Sequence, residues 1–337
     1  MGKVTKIRTP IYFKSWAAVG GHEERRGPLG EKFDFCDTTD KFGRSTWEIA
    51  EAEMGRIALN TALTKSTLSH SELDLLVAGD LQNQCVASST GLSGFGIPFI
   101  GVYGACSTCT ESLMTLASFL DSSENMTYGA AVTTSHNSAA ERQFRTPIEY
   151  GGQRAPTAQW TSTAAGAFIL GRGEGDVQIT EYMPGRIVDG ATSDGTNMGG
   201  AMSFAAFDSI RSYFEETGED GKNIDLIITG DLGKVGSDIL RELLSKEFPG
   251  CERLHTDCGL LLYDFKNQDA HSGASGCGTS ASVLACHFLP LLAEGRLERV
   301  LFMSTGALMS PSSLLQGENI YGIAPLICLE SRKGKGK

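Results

Sequence analysis

The sequence predicts an α/β protein in which one α/β unit occurs twice, residues 1–172 forming the first half and residues 173–337 the second. Three recurrences carry that prediction. An acidic residue, an apolar run and a Gly-Asp pair occur as "LDLLVAGDLQNQ" at 73–84 and as "IDLIITGDLGKV" at 224–235. Small residues running into an apolar helical stretch occur as "GACSTCTESLMTLASFL" at 104–120 and as "SGCGTSASVLACHFLPLL" at 275–292. Strand-like "AAVTTS" at 130–135 is matched by "VLFMSTG" at 300–306. The shared order of strand, glycine turn, helix and strand predicts helices layered on a mainly parallel sheet. The period is about half the chain, far too long for a solenoid. The turn-rich "GRGEGD" places the boundary near residues 171–175.

Each element follows from its pattern. Helix-like segments at 47–63 and 201–216 precede the first pair of strands. A short apolar run ended by glycine fits a strand buried on both faces. Leu113, Leu116, Ala117 and Leu120 fall at helical spacing on one face. Thr108 with Glu111 fits a capping box, which starts that helix near Thr108 and puts Cys106 just ahead of its N-terminus. Free N–H groups and the helix dipole at such a place are expected to lower the thiolate pKa or to receive an anion.

Composition narrows the function. A formal charge of −11 excludes broad nucleic-acid binding, which needs a basic face. No apolar run approaches the ~20 residues of a membrane span; the stretch at 283–292 is too short and contains His287 and Pro290. The N-terminal "MGKVTKIRTPIYF" lacks the apolar core of a secretory signal. Nine scattered cysteines, an odd number, read as reduced thiols, so a cell-interior protein is expected. Cys106 and Cys109 at a helix start, and the irregular "CERLHTDC" at 251–258, are weak metal patterns, and no metal site is expected. The basic tail "SRKGKGK" offers at most a weak pull on anionic lipid.

Two fused α/β halves, with Gly-Ala-Cys-Ser opening a helix in the first, resemble the thiolase superfamily, which includes the ketoacyl synthases. "TAAGAFILG" at 163–171 is similar to the strand that closes the first half of those enzymes, and "GTSASVL" at 278–284 to their second-half Asn-Thr-Ser/Ala motif. The resemblance implies an αβαβα layered structure and a homodimer joined through a strand near residues 98–103. It also exposes departures. Gly230 or Asp231 stands where the catalytic His belongs, and Gly278 where the catalytic Asn belongs. The loop Ser304-Thr305-Gly306 lacks the second cysteine of true thiolases. Losing one oxyanion donor costs ~10²–10³ in rate, and losing both partners leaves a nucleophile without its machinery. A non-enzymatic protein is therefore expected. The alternatives are an acyl-transfer or condensing enzyme using Cys106 as nucleophile, and a structural adaptor.

Within that superfamily, "TSHNSAAERQFRTPIEYGGQRAPTAQWTSTAAGAF" at 134–168, "AGDLQNQ" and "TGDLGKVGSD" resemble the stage V sporulation protein AD family of endospore-forming bacteria. The resemblance implies binding of dipicolinic acid, free or as its calcium chelate, and help in moving it into the developing spore. It implies work beside integral-membrane proteins of the same system, at the periphery of the spore inner membrane. No resident cofactor is implied. A flat pyridine with two carboxylates needs donors for both and a wall for the ring.

The expected donors are the amides of Ser107 and Thr108 next to Cys106, in space left by Gly230 and Gly278. His136 either donates to a carboxylate or holds a turn. Arg142, Arg145 and Arg154 crowd one region, reaching a carboxylate, solvent, Glu141 or Glu149. Gln159, Trp160 and Thr161 lead into the closing strand, with Trp160 as a stacking face or as core. Lys234 lies in a strand-to-helix turn that is not a phosphate loop, and His271 in a nearby loop. Asp80 and Asp231 hold matching places, as turn holders or as contacts for ligand-borne calcium.

Overall fold

Strand β1 (Thr5–Gly20) runs through the middle of the molecule and joins its two sides. The computed structural model describes residues 2–144 and 154–333, with the backbone alone at residues 142 and 144. The other strands along the path of the main sheet are β2 (Leu75–Gly79), β3 (Phe99–Gly101), β4 (Tyr128–Ser135), β5 (Ala164–Arg172), β6 (Val177–Met183), β7 (Leu226–Thr229), β8 (His255–Asp257), β9 (Arg299–Met303) and β10 (Leu326–Ser331), while the two-residue strand Phe35–Cys36 pairs with the end of β1 off that path. Their order is β8-β7-β9-β10-β6-β1-β5-β4-β2-β3.

Read inward from either end, this path repeats itself. The outer three strands on each side are parallel, and the next two pairings are antiparallel. The sheet is therefore mixed, not mainly parallel as the sequence predicts. Parallel neighbours need a crossover helix, which β2, β3, β4 and β7, β8, β9 have; the strands closing each half run back against them.

Seven of the described helices cover these strands. They are α1 (Trp47–Ser66), α2 (Val86–Leu92), α3 (Thr108–Ser122), α4 (Asn137–Phe144), α5 (Met198–Thr217), α6 (Gly233–Glu247) and α7 (Cys277–Val283), the last continued by a π turn at Leu284–Phe288. The alternation of side chains along a strand decides which layer each residue enters. On β2, Leu76 and Ala78 pack with Met54 and Leu59 of α1, while Leu75 and Val77 pack with Leu113 and Leu116 of α3. On β9, Val300 and Phe302 join that same central core, while Leu301 and Met303 face Ile210 and Tyr213 of α5 and Leu240 of α6. The result is five layers, helix–sheet–helix–sheet–helix, with α3 and α7 packed together in the middle. Burial of Leu113, Leu116 and Leu120 on α3 stabilises the fold by roughly 1.5–3 kcal/mol each. Among the described residues no helix is long and apolar enough to cross a membrane.

A two-stranded parallel pairing of Trp160–Thr161 with Ala274–Ser275 ties the approach to β5 to the approach to α7. This pairing positions both places described next.

Candidate functional site

Cys106 lies in a short turn of helix, Ala105–Ser107, that runs into α3. Ala105 takes a left-handed conformation there (φ 55°), which aims the cysteine toward the second half. The thiol sits in a small buried cluster with Leu81, Ala140 and Cys277. Its polar neighbour is the Asp231 carboxylate, close enough to act on it electrostatically. Asp231 is 1 % exposed and also accepts from the Gly276 amide (2.9 Å), the Thr305 hydroxyl (2.9 Å) and the Ser275 hydroxyl (3.2 Å).

This geometry reverses the expected electrostatics. Burial first, then the Asp231 carboxylate, push the Cys106 thiol well above its ordinary value. A helix terminus lowers a thiolate pKa only where its field meets the sulfur without a competing anion and without loss of water. Burial also pushes the Asp231 carboxyl up to about 6, against the amide and hydroxyl hydrogen bonds that favour its charge. At neutral pH Cys106 is a protonated thiol beside a carboxylate.

The helix start itself differs from expectation. The Ser107 amide donates to the Gly104 carbonyl (3.2 Å) and the Thr108 amide to the Ala105 carbonyl, so both are occupied internally. Thr108 is the first helical residue, and no capping box forms with Glu111. Instead the Ser107 hydroxyl donates to Glu111 at 2.7 Å.

Nor do the two glycines leave room. A β-carbon at Gly278 would lie 2.1 Å from the Ala164 carbonyl and 2.6 Å from the Ser135 hydroxyl. At Gly230 it would lie 3.0 Å from Ser304 and 3.2 Å from Ser280. Neighbouring backbone has closed in where the sequence predicts a vacated pocket.

The loop carrying Asp231 is held from two sides. Gln159 donates through Nε2 to the carbonyls of Asp231 and Ala274, each at 2.8 Å. Asp257 accepts the amides of Leu232 (2.9 Å) and Gly233 (3.0 Å) and the Thr229 hydroxyl (2.6 Å). Burial pushes its carboxyl up to about 7.

A separate cavity of about 440 Å³ opens beside Trp160. His22, Arg26, Asp40, Tyr263 and Gln268 form much of the rest of its wall. The Arg154 guanidinium lies 4.8 Å over the Trp160 ring and pairs with Asp269 at 3.0 Å. Its Nη1 is buried without a hydrogen-bond partner among the described residues.

Residues 2–330 match the family model described as stage V sporulation protein AD. Stage V sporulation protein AD of Bacillus subtilis (strain 168) is 39 % identical over 334 residues, 99 % of this chain and 98 % of that protein. The chain belongs to the stage V sporulation protein AD family. OleA of Xanthomonas campestris has the same fold, with a TM-score of 0.61 at 12 % identity over 96 % of this chain and 99 % of that one. So has 3-oxoacyl-[acyl-carrier-protein] synthase III of Aquifex aeolicus, with a TM-score of 0.54 at 14 % identity over 97 % and 99 %. The fold of this sporulation protein is thus that of the thiolase-like condensing enzymes.

The sequence-derived candidates fall into separate places. Cys106, Ser107, Thr108, Asp231 and Gly278 meet in the sealed centre, with Gln159 as its brace. Thr161 lies beside it, its carbonyl accepting from the Asn137 side chain at 3.1 Å. Trp160 belongs to the open cavity. His136 is fully buried; its Nε2 donates to the Asp40 carbonyl at 2.8 Å and its ring lies 5.4 Å from Trp47. Burial lowers its pKa, which keeps it neutral. Lys234 is exposed on the first turn of α6. His271 pairs with Asp269 at 2.8 Å. Arg145, Glu149 and the Arg142 side chain lie outside the described residues. Asp80 holds a turn, accepting from the Gln82 amide and from the amide and hydroxyl of Ser88 at 2.6–2.8 Å.

Two features have no counterpart in the sequence reading. Glu51 is buried near Asp80, accepting from Gln82 (2.7 Å) and Thr134 (2.9 Å), and burial pushes it up to about 8. The segment His22–Arg26, directly after β1, supplies a third of the cavity wall through His22, Glu23 and Arg26. Its signal was the charged "HEERR" following Gly20 and Gly21 at a strand end.

Proposed function

We propose that this sporulation protein binds dipicolinate, free or as its calcium chelate, without chemical turnover, and so supports its uptake into the developing spore beside membrane proteins of the same system. The observation that carries this reading is the separation of thiol from cavity. Among the described residues, the sulfur placed like a thiolase nucleophile is closed in beside a carboxylate, which opposes a thiolate and hence acyl transfer. The open space lies instead beside an indole, with Arg26 and His22 on its wall. A flat ring stacks on Trp160, and a guanidinium forks onto a carboxylate. Asp40 and Asp269 on the same wall suit calcium carried by the ligand, which prefers carboxylate oxygen. The reading includes a second copy of the chain along β3, which ends the sheet and leaves Phe99 exposed.

Titration calorimetry of the full chain with dipicolinate tests the binding. Trp160→Ala weakens it by about tenfold, the worth of a lost stacking face. Incubation with acyl-CoA followed by mass spectrometry leaves Cys106 unmodified. No heat with dipicolinate overturns the binding reading. An acyl adduct on Cys106 that turns over establishes the enzyme instead.

A further inference from the structure

A carboxyl group stands directly behind the wall of the Trp160 cavity. Glu24 is 1 % exposed. Its oxygens accept the Gly21 amide (3.1 Å), the Thr163 amide (3.0 Å) and the Tyr263 hydroxyl. Tyr263 also lines the cavity, so one side chain touches both the buried acid and the open space. Gly21 lies between two carboxylates: a β-carbon there would be 2.2 Å from Asp40 and 3.0 Å from Glu24. Asp40 lines the cavity as well and accepts the His22 amide at 2.6 Å.

The groups around Glu24 set the sign of its effect. Glu23 and Arg25 share its helical turn, Cys36 comes from the short strand Phe35–Cys36 paired with β1, Asp40 from the loop after that strand, and Tyr263 from the second half. Cys36 is held protonated by burial, and Tyr263 likewise, so neither adds charge. Ionised Glu24 thus joins Asp40 and Glu23 in making this wall negative, and a buried charge is screened far less than an exposed one.

Resting on the reading that this cavity takes dipicolinate, we infer that Glu24 is a proton-linked switch on anion binding: protonated, it lets the cavity accept a dicarboxylate, and ionised, it weakens that binding. Burial holds the Glu24 carboxyl up to about 7, so the change falls around neutrality. Linkage then requires that binding draw a proton onto the protein.

Calorimetry with dipicolinate at pH 6, 7 and 8, each in two buffers of different ionisation enthalpy, tests this on the full chain. The expected Kd of the unsubstituted protein rises about tenfold from pH 6 to pH 8, with net proton uptake on binding near pH 7. Glu24→Gln removes most of that rise, which separates Glu24 from His22 on the same wall. Tyr263→Phe removes a hydroxyl that favours the carboxylate, so the midpoint of the rise moves to higher pH. If Glu24→Gln does not fold, proton uptake and the Tyr263→Phe midpoint still decide. A Kd that is flat across the range, or one that rises equally in Glu24→Gln, overturns the switch while leaving dipicolinate binding intact. No binding at any pH overturns both.

Discussion

Asp80 and Asp231 follow matching strands of the two halves, yet they do different work. Asp80 takes its hydrogen bonds from Gln82 and Ser88, within its own loop. Asp231 takes them from Ser275, Gly276 and Thr305, in other segments of the second half, while Gln159 of the first half donates to its carbonyl and the Cys106 thiol lies beside its carboxylate. The helix starts differ in the same way. Cys106 and Cys277 each stand two residues ahead of a threonine that opens or lies in the first turn of a helix, Thr108 and Thr279. Cys277 donates to a backbone carbonyl, that of Thr134, at 2.9 Å, whereas Cys106 has a carboxylate, Asp231, as its polar neighbour. A duplicated scaffold thus supplies equivalent positions, and the segment that reaches across from the other half decides whether a position holds a turn or joins the two halves.

Replacing the two aspartates gives the largest expected effects. Asp231→Ala leaves the donors of Gly276, Ser275 and Thr305 unpaired in the interior, at a cost of about 3–5 kcal/mol in urea unfolding. Asp80→Ala also strands three donors, but all within one loop that can relax together, and costs about 2–3 kcal/mol. The discriminating readout is alkylation of Cys106 under native conditions at pH 8. Without the Asp231 carboxylate the thiol ionises more readily and labelling accelerates; Asp80→Ala leaves it unchanged. Equal labelling in both variants would mean that Asp231 does not set the state of the sulfur.

The halves themselves were legible in sequence because apolar period and glycine placement are local. Runs such as "LDLLVAG" and "IDLIITG" become the inner strands, and the 3.6-residue spacing of Leu113, Leu116 and Leu120 becomes the buried face of α3. Strand direction was not legible, because it depends on where the closing strands β5 and β10 return. Cys106 was correctly placed before a helix, but its chemistry was not. The dipole argument is local, while Asp231 arrives from more than a hundred residues away and desolvation outweighs the dipole. Glycine at 278 signals a missing side chain, and only the fold reveals the Ala164 carbonyl packed against it. Trp160 was singled out, whereas its partners Tyr263 and Arg26 are distant in sequence.

An effect of intermediate size follows from the buried acids that the two halves hold. Burial raises Glu51 to about 8, Glu24 and Asp257 to about 7 and Asp231 to about 6. In the unfolded chain these groups release their protons near the ordinary carboxyl values of 3.8 for aspartate and 4.5 for glutamate. The native state therefore binds more protons than the unfolded state between those values and about 8, and stability falls as pH rises through that window. Each group protonated only in the folded state contributes a slope of about 1.4 kcal/mol per pH unit. Between pH 7 and pH 8 the expected loss is about 2 kcal/mol, and Glu51→Gln reduces it by about half. Glu53, lowered by its hydrogen bonds to Arg56 and Arg44, acts oppositely and only in acid. A urea midpoint that is higher at pH 8 than at pH 5 would contradict this assignment.

The smallest expected difference lies between the matched threonines. Thr108 donates to the Ala105 carbonyl at 2.7 Å and accepts the Gly104 amide at 3.2 Å. Thr279 donates to the Ser275 carbonyl at 2.7 Å and shares a 2.8 Å hydrogen bond with the Ser162 hydroxyl. Valine keeps the shape and removes the hydroxyl in each case. After Thr279→Val the Ser162 hydroxyl rotates toward Ser135, already 3.3 Å away, so the loss is about 1 kcal/mol. After Thr108→Val the Gly104 amide keeps its fixed direction and loses the acceptor it has among the described residues, so the loss is about 2 kcal/mol. Denaturant midpoints of the two variants at one pH resolve this difference. The reverse order would show that Ser162 is bound more rigidly than Gly104, and that the second helix start, not the first, is the more tightly determined of the pair.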